Sequence, residues 1–147
     1  MSTLQLPSAR LAECFERSPT LHQHLLRYVQ AMMVQLSSSI AAAGQTVDQR
    51  LARWLLMCHD RVDGDTISVT HEFIGMMLNV RRAGVTVALQ AATDAGLIIR
   101  HRGTIQIQDR DGLKRLAGGS YGLAEAEYER LTGVALCKPS RAPTVVN

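Results

Sequence analysis

Arginines are the residues with the clearest chemistry in this sequence of 147 residues. Arg81 and Arg82 are adjacent, and Arg100 and Arg102 follow further along the chain. A guanidinium donates two parallel hydrogen bonds to guanine O6 and N7, and it also pairs with phosphate. Between positions 81 and 102 there are four arginines and one acid, Asp94, so this window carries the whole net charge of the chain, +3. Because the excess charge is confined to one segment, its placement indicates DNA as the partner.

Signatures of catalysis are weak in comparison. His71-Glu72 resembles the start of the zinc-protease motif HExxH, but Gly75 occupies the position of the second histidine. No phosphate-binding loop and no GxSxG nucleophile motif is present in the sequence. His22 and His24 are two residues apart on a predicted helix, so their side chains diverge and cannot share a metal ion. We therefore predict that the chain is not an enzyme and that it uses no metal or other cofactor.

The cysteines and the hydropathy pattern bear on the compartment. Cys14, Cys58 and Cys137 are far apart and form no CxxC pair, which argues against a disulfide framework and favours a reducing cytoplasm. No run of 18 apolar residues occurs, and the first residues lack the pattern of a signal peptide. We therefore expect a cytoplasmic protein with no membrane partner.

A long amphipathic helix is predicted over residues 19–44, after a lead-in over residues 1–18. Ser18 is a candidate N-cap, and Pro19 suits the first helical position. A flanking line of Leu26, Met33 and Ile40 widens the apolar side of this helix. The main line of that apolar side consists of Leu25, Val29, Met32, Leu36 and Ala43.

Such a stripe needs a surface to cover it. Either it packs within the chain, or it forms the seam of a two-helix dimer. We favour the dimer, because so short a chain offers little else that could lie along the helix.

The pattern of residues 45–121 predicts a second structural unit, which begins with a helix. Thr46 to Gln49 reads as a capping box, and the helix that it starts runs to about Asp60. Residues 66–69 alternate like a short strand. Thr70 then caps a helix, and Asn79 is suited to close it in the left-handed conformation. The core side of this helix is assigned to Phe73, Ile74, Met77 and Leu78.

A recognition helix is predicted over residues 81–94, followed by a wing over residues 98–107. The apolar positions Val85, Ala88, Leu89 and Ala92 follow the helical period and face the core. His101-Arg102-Gly103 joins two short strands as a hairpin turn. Two helices joined by a short turn, with a β-hairpin behind them, make a winged helix-turn-helix. The predicted fold class is therefore mainly α with a small β-hairpin wing, preceded by a long dimerisation helix.

The C-terminal part is predicted to hold two more helices and a tail. Asp109 or Asp111 caps a helix that ends near Ala117, and a further helix lies within residues 122–132. Residues 133–147 show little periodicity and are expected to be disordered. The polar residues of the last helix are expected to be exposed: Glu125, Glu127, Glu129 and Arg130.

From Val47 to about Tyr121, the sequence resembles the DNA-binding domain of the Crp/Fnr superfamily of bacterial transcription regulators. The resemblance rests on helix spacing, turn length and wing position together, and the long helix looks like the family's dimerisation helix. It implies a homodimer that regulates transcription from a palindromic operator, with RNA polymerase as a further candidate partner. The segments that carry the resemblance are residues 49–56, 70–73, 76–86 and 96–98.

One feature of the family is missing from the sequence. Family members usually carry an N-terminal sensor β-roll, and residues 1–18 are too few for one. We therefore expect either a fragment or a regulator without a sensor, and no effector is implied. Constitutive binding and competition with full-length relatives both remain open.

The resemblance and the helical period together assign DNA contacts. Arg82 falls on the family's base-reading arginine position, whereas Ala83 and Val87 replace the acid and the second arginine of the family pattern. Either of these two side chains could contact thymine methyl groups. The base-contact set is Arg81, Arg82, Ala83, Thr86, Val87 and Gln90. The phosphate-contact set is Thr70, His71, Arg100, His101, Arg102 and Thr104.

Two alternatives stay open at this point. Any one of these charged residues, Arg102 or His71 for example, would also suit an ordinary solvated surface. A winged-helix protein-interaction module would keep the fold without binding DNA. The arginines on the recognition helix and wing favour DNA over that module.

Overall fold

The computed structural model describes residues 5–136, and these residues form seven α-helices and three β-strands. The fold is mainly α with a small antiparallel sheet, which confirms the predicted class. Short 3-10 turns occur at Ala42–Gly44 and Gly118–Ser120. The elements are α1 (Ser8–Arg17), α2 (Pro19–Ala41), α3 (Val47–His59), β1 (Thr66–Ser68), α4 (His71–Leu78), α5 (Arg82–Asp94), β2 (Ile98–His101), β3 (Thr104–Ile107), α6 (Arg110–Ala117) and α7 (Leu123–Thr132).

Helix α1 lies within the lead-in over residues 1–18, to which the sequence assigned no helix or strand. Its two half-buried apolar side chains, Leu11 and Phe15, are one turn apart. The ring of Phe15 packs edge-on against the ring of His22 on α2, with the ring centroids 5.4 Å apart. Ser18 ends α1 by donating its backbone N–H to Cys14, and its hydroxyl accepts from the N–H of Leu21 at 3.2 Å. One residue therefore closes one helix and caps the next.

Helix α2 has two different long faces. One face packs on α7, where Ala31 and Gln35 are buried and the rings of Tyr28 and Tyr128 meet edge to face at 6.4 Å. The regular helix ends at Ala41 rather than at Gly44, because the last turn tightens into a 3-10 turn. The second long face of α2 is exposed and carries Leu26, Val29, Met33, Leu36 and Ile40.

None of the helices within residues 5–136 is both long and apolar enough to cross a membrane.

The core lies between α3, α4, α5, α6 and the sheet. The predicted inner positions of α5 are all buried, as the helical period required. The prediction for α4 was half wrong, because Phe73 and Met77 are 45% and 52% exposed. An eight-residue helix turns only one narrow stripe inward, here Ile74 and Leu78, and Phe73 instead meets Trp54 at 6.3 Å. The largest fully buried side chains are Leu51, Leu55, Leu56, Ile74, Val85, Leu89, Ile98 and Leu113.

The sheet has the order β1-β3-β2 and is antiparallel throughout. The predicted hairpin, which forms the wing, consists of β2 and β3. Strand β1 pairs with β3 and so extends the hairpin to a three-stranded sheet. In the turn, Gly103 has φ 77°, a value that favours glycine. Ile105 pairs with Ile67 on one side and with Arg100 on the other, which fixes the register of the wing against the core.

A buried polar cluster joins the end of α3 to the start of α6. Arg110 donates to Asp60 Oδ1 and to the Tyr121 hydroxyl, both at 2.7 Å, and the Asp60 side chain is fully buried. Arg110 also lies 2.8 Å from His59 Nδ1, and Asp65 lies 3.0 Å from Nε2, so Nδ1 accepts and Nε2 donates. Since one guanidinium links these side chains, the cluster holds α3, α6 and the segment before α7 together.

A second polar contact attaches α2 and the 3-10 turn before α7 to α3. Arg53 donates to the carbonyl of Ser120 at 2.7 Å and to the Ser39 hydroxyl at 3.1 Å. Burial lowers the pKa of the Arg53 guanidinium, and the Glu125 carboxylate partly offsets that shift. Glu125 was expected to be exposed, but it is buried, because α7 packs on α2, and its carboxylate accepts from the Gly122 N–H at the start of α7.

Candidate nucleic-acid interface

The turn between α4 and α5 fixes the angle of the helix-turn-helix. Asn79 adopts the left-handed conformation, φ 50° and ψ 50°, as predicted, and its N–H bonds to the last carbonyls of α4. The N–H of Val80 bonds to the carbonyl of Gly75 at 3.0 Å. A Cβ atom at Gly75 would lie 3.0 Å from the Val80 carbonyl oxygen, so a side chain there would push the two helices apart.

The outer face of α5 presents the predicted base-contact residues. Arg81 is the N-cap rather than the first helical residue, so the recognition helix begins at Arg82. Val87 is 69% exposed, a high value for an apolar side chain in a helix that packs on a core. The Thr86 hydroxyl donates to the carbonyl of Arg82 at 3.1 Å, so its hydrogen is used within the helix. The exposed residues are Arg81, Arg82, Ala83, Thr86, Val87 and Gln90.

An open groove runs between the start of α4, helix α5 and the wing. The structure brings the whole predicted phosphate-contact set to this groove, although its residues come from α4, β2, β3 and the loops beside them. A backbone bond from the Val69 N–H to the Gly103 carbonyl, 3.0 Å long, holds the wing turn beside the start of α4. Contact with DNA itself stays a prediction. The lining includes Thr70, His71, Arg82, Arg100, His101, Arg102 and Thr104.

Glu72 is a groove residue that the sequence analysis missed. In the sequence it stands out only as part of the incomplete HExxH motif, and as an acid in the first turn of α4 it is also favoured by the helix dipole. In the structure it lines the main groove and also the neighbouring cleft that contains Arg81 and Arg82. Its position directly after His71 was the available signal. A carboxylate here repels phosphate, so it restricts where a DNA backbone can pass.

Two predicted DNA-contact residues are bonded to one another. The Arg100 guanidinium on β2 donates to the side-chain oxygen of Gln90 on α5. Gln90 in turn donates through Nε2 to Asp94 Oδ1 at 2.7 Å. We call Asp94, Gln90 and Arg100 the helix–wing bridge. It ties the C-terminal half of α5 to the wing.

The other reactive side chains offer little additional chemistry. Burial raises the pKa of the Cys58 thiol to about 11, so the thiol stays protonated at neutral pH. Cys14 is exposed and free, and Cys137 lies outside the described residues. Within residues 5–136, no three His, Cys, Asp or Glu side chains are grouped closely enough to hold a metal ion.

Comparisons with known proteins agree with this geometry. Residues 49–116 match the sequence profile of the Crp-like helix-turn-helix domain. No curated protein matches the chain. Two solved structures are also similar to this chain. Each is less than 25% identical to it in sequence, so the likeness establishes the fold alone. The chain spans about half the length of each of them.

Two solved structures share the fold. A CRP-family transcriptional regulator from Thermus thermophilus superposes with a TM-score of 0.55 at 24% identity, over 65% of this chain and 50% of that one. A proposed transcriptional regulator of the Crp/Fnr family from Eubacterium rectale gives a TM-score of 0.59 at 22% identity. That match covers 76% of this chain and 52% of the other.

Proposed function

The chain carries a Crp-like helix-turn-helix domain, and on that premise we propose that it is a DNA-binding transcription regulator that recognises a palindromic operator as a homodimer. The observation that carries the proposal is the groove, in which arginines of the recognition helix and of the wing meet Thr70 at the start of α4. A helix-turn-helix inserts its second helix into the major groove, and the first helix crosses the backbone. In this arrangement α5 would lie in the major groove and the wing would rest on phosphates.

Base reading would be concentrated at the start of α5. Arg82 is exposed there and lines both clefts of the interface, so its guanidinium can reach O6 and N7 of a guanine. Ala83 and Val87 offer small apolar surfaces that suit thymine methyl groups. The free N–H groups at the start of α4, beside Thr70, suit a phosphate.

The homodimer would form on the exposed face of α2. The residues Leu26, Val29, Met33, Leu36 and Ile40, which we call the α2 seam, alternate spacings of three and four, as the a and d positions of a coiled coil do. From Leu26 to Ile40 the seam extends about 21 Å at 1.5 Å per residue. Ile40 is 75% exposed in the single chain, so the seam has no cover of its own.

The seam differs in one respect from the set assigned from sequence. Leu25 and Met32 are half-buried between the seam and the α7 face, whereas Val29 and Leu36 are exposed, as is Ala43. The flanking line of Leu26, Met33 and Ile40 belongs to the seam itself. We therefore expect Leu25 and Met32 to border the dimer contact rather than to form its centre.

Titration of a labelled random-sequence duplex at two salt concentrations tests the DNA proposal. A protein that neutralises phosphates with arginines releases counterions, so the logarithm of the binding constant falls linearly with the logarithm of salt. We expect measurable binding at low salt that weakens steeply as salt rises. Absence of salt-sensitive binding to any duplex would instead support a winged-helix protein-interaction module.

A further inference from the structure

The helix–wing bridge uses one hydrogen-bonding site on each of the two polar atoms with which a glutamine reads a base, and so fixes the direction of the Gln90 amide. Glutamine recognises adenine by presenting its carbonyl oxygen and its amide nitrogen together to N6 and N7. In Gln90 the oxygen accepts from Arg100, and Nε2 donates to Asp94 at 2.7 Å. The amide is thus directed along the protein surface, from the wing at one end to the end of α5 at the other.

The bridge also accounts for the one acid of the arginine-rich window. Asp94 ends α5, where the helix dipole disfavours a negative charge, and it stands on the same helix as Arg82. Its Oδ1 accepts from Gln90, which itself accepts from the Arg100 guanidinium. The negative charge is therefore linked through one amide to a cation of the wing, and Arg100 is held over α5 instead of extending into solvent.

We propose that Gln90 is a positioning residue that holds Arg100 of the wing for phosphate binding, and that it does not read a base. This inference rests on the proposed DNA-binding function and refines it. Base readout is then confined to the first two turns of α5, from Arg82 to Val87. The last turns of α5 and the wing act as one rigid unit that contacts the DNA backbone.

The test compares Gln90→Ala, Arg100→Ala and the double variant, with Gln108→Ala as the matched control because Gln108 is an exposed glutamine just after the wing. Selection of bound duplexes from a random pool should give the same base preference for Gln90→Ala as for the parent. Gln90→Ala should weaken binding to all sequences by about two- to fivefold, the size expected for an exposed polar pair. Gln108→Ala should bind as the parent does.

The two single effects should also be non-additive. Since Gln90 acts through Arg100, adding Gln90→Ala to Arg100→Ala should weaken binding no further. A lost preference for one base in Gln90→Ala, or full additivity in the double variant, would overturn the inference while leaving the DNA-binding proposal intact.

A measurement without DNA separates the two proposals completely. In NMR spectra of the free protein, the signal of the Arg100 Nη2 hydrogens, which the bridge bonds to Gln90, should shift and broaden in Gln90→Ala and stay unchanged in Gln108→Ala. An unchanged Arg100 signal in Gln90→Ala would show that the bridge does not exist, whether or not the parent binds DNA. If the parent bound no duplex but the signal responded, the bridge would stand and its role in DNA binding would be wrong.

Discussion

The α2 seam and the basic groove are two exposed surfaces of opposite chemistry. Between Tyr28 and Val47 the sequence holds no charged residue, and the seam exposes only apolar side chains. The groove instead gathers arginines from α5 and the wing around one open channel. An apolar seam associates by removing apolar area from water, whereas the groove attracts a polyanion through charges that salt screens. The two surfaces should therefore respond differently to salt and to mutation.

The largest effect is expected from a charge in the seam. Leu36→Arg would bury an unpaired guanidinium in each copy, and we expect the dimer dissociation constant to rise more than about 100-fold, or about 2.8 kcal/mol. Sedimentation velocity measures the change. Gln23→Arg is the matched control, because Gln23 is an exposed residue on the flank of the same helix. If the Leu36→Arg protein sediments as the parent does, the α2 seam does not form the dimer contact.

Arg82→Ala should have the next largest effect, this time on the groove alone. Loss of a bidentate guanine contact should cost about 1–3 kcal/mol of specific binding, roughly 5- to 150-fold, and should relax base preference at one operator position. Operator titrations by fluorescence anisotropy check it, with Arg115→Ala as the control, since Arg115 is exposed on α6 and does not line the groove. Equal operator affinity for Arg82→Ala and the parent would contradict the readout role.

A smaller effect that does not depend on the base sequence is expected from the wing. Arg102→Ala removes a phosphate partner, so it should weaken binding to all duplexes alike and lower the slope of log K against log salt by about one. The same variant should leave the dimer constant unchanged, because Arg102 lies in the groove and not on α2. An altered base preference would mean that the wing reads sequence.

The smallest effect is expected from the acid of the groove. Glu72→Gln removes a carboxylate that repels phosphate, and binding should tighten by about two- to fivefold at low salt, less at high salt. Glu129→Gln, at an exposed acid on α7, is the control and should change little. Weaker binding by Glu72→Gln would indicate that Glu72 accepts a hydrogen bond from a base instead.

Local signals predicted the parts of the fold that depend on helical period and end residues. The buried face of α5, the cap at Thr70 and the left-handed Asn79 each depend on a few neighbouring residues. Tertiary packing decided what the sequence did not reveal. Glu125 is buried because α7 returns to α2, and Phe73 is exposed because only one stripe of a short helix meets the core.

The candidate site divides in the same way. Its residues could be assigned because their positions follow from helix and hairpin geometry. The helix–wing bridge could not be predicted, because Gln90 and Arg100 meet only when the hairpin folds back over α5. The position of Glu72 in the groove likewise depends on the angle between α4 and the wing.

The central claim is that two copies joined through α2 bind one duplex through their grooves. Selection of bound duplexes from a random pool by the unmodified chain tests it most directly. We expect the selected duplexes to contain an inverted repeat whose half-site centres are one helical turn apart, about 34–36 Å, or a multiple of that. Enrichment of a single half-site without an inverted partner, or no enrichment at all, would contradict it.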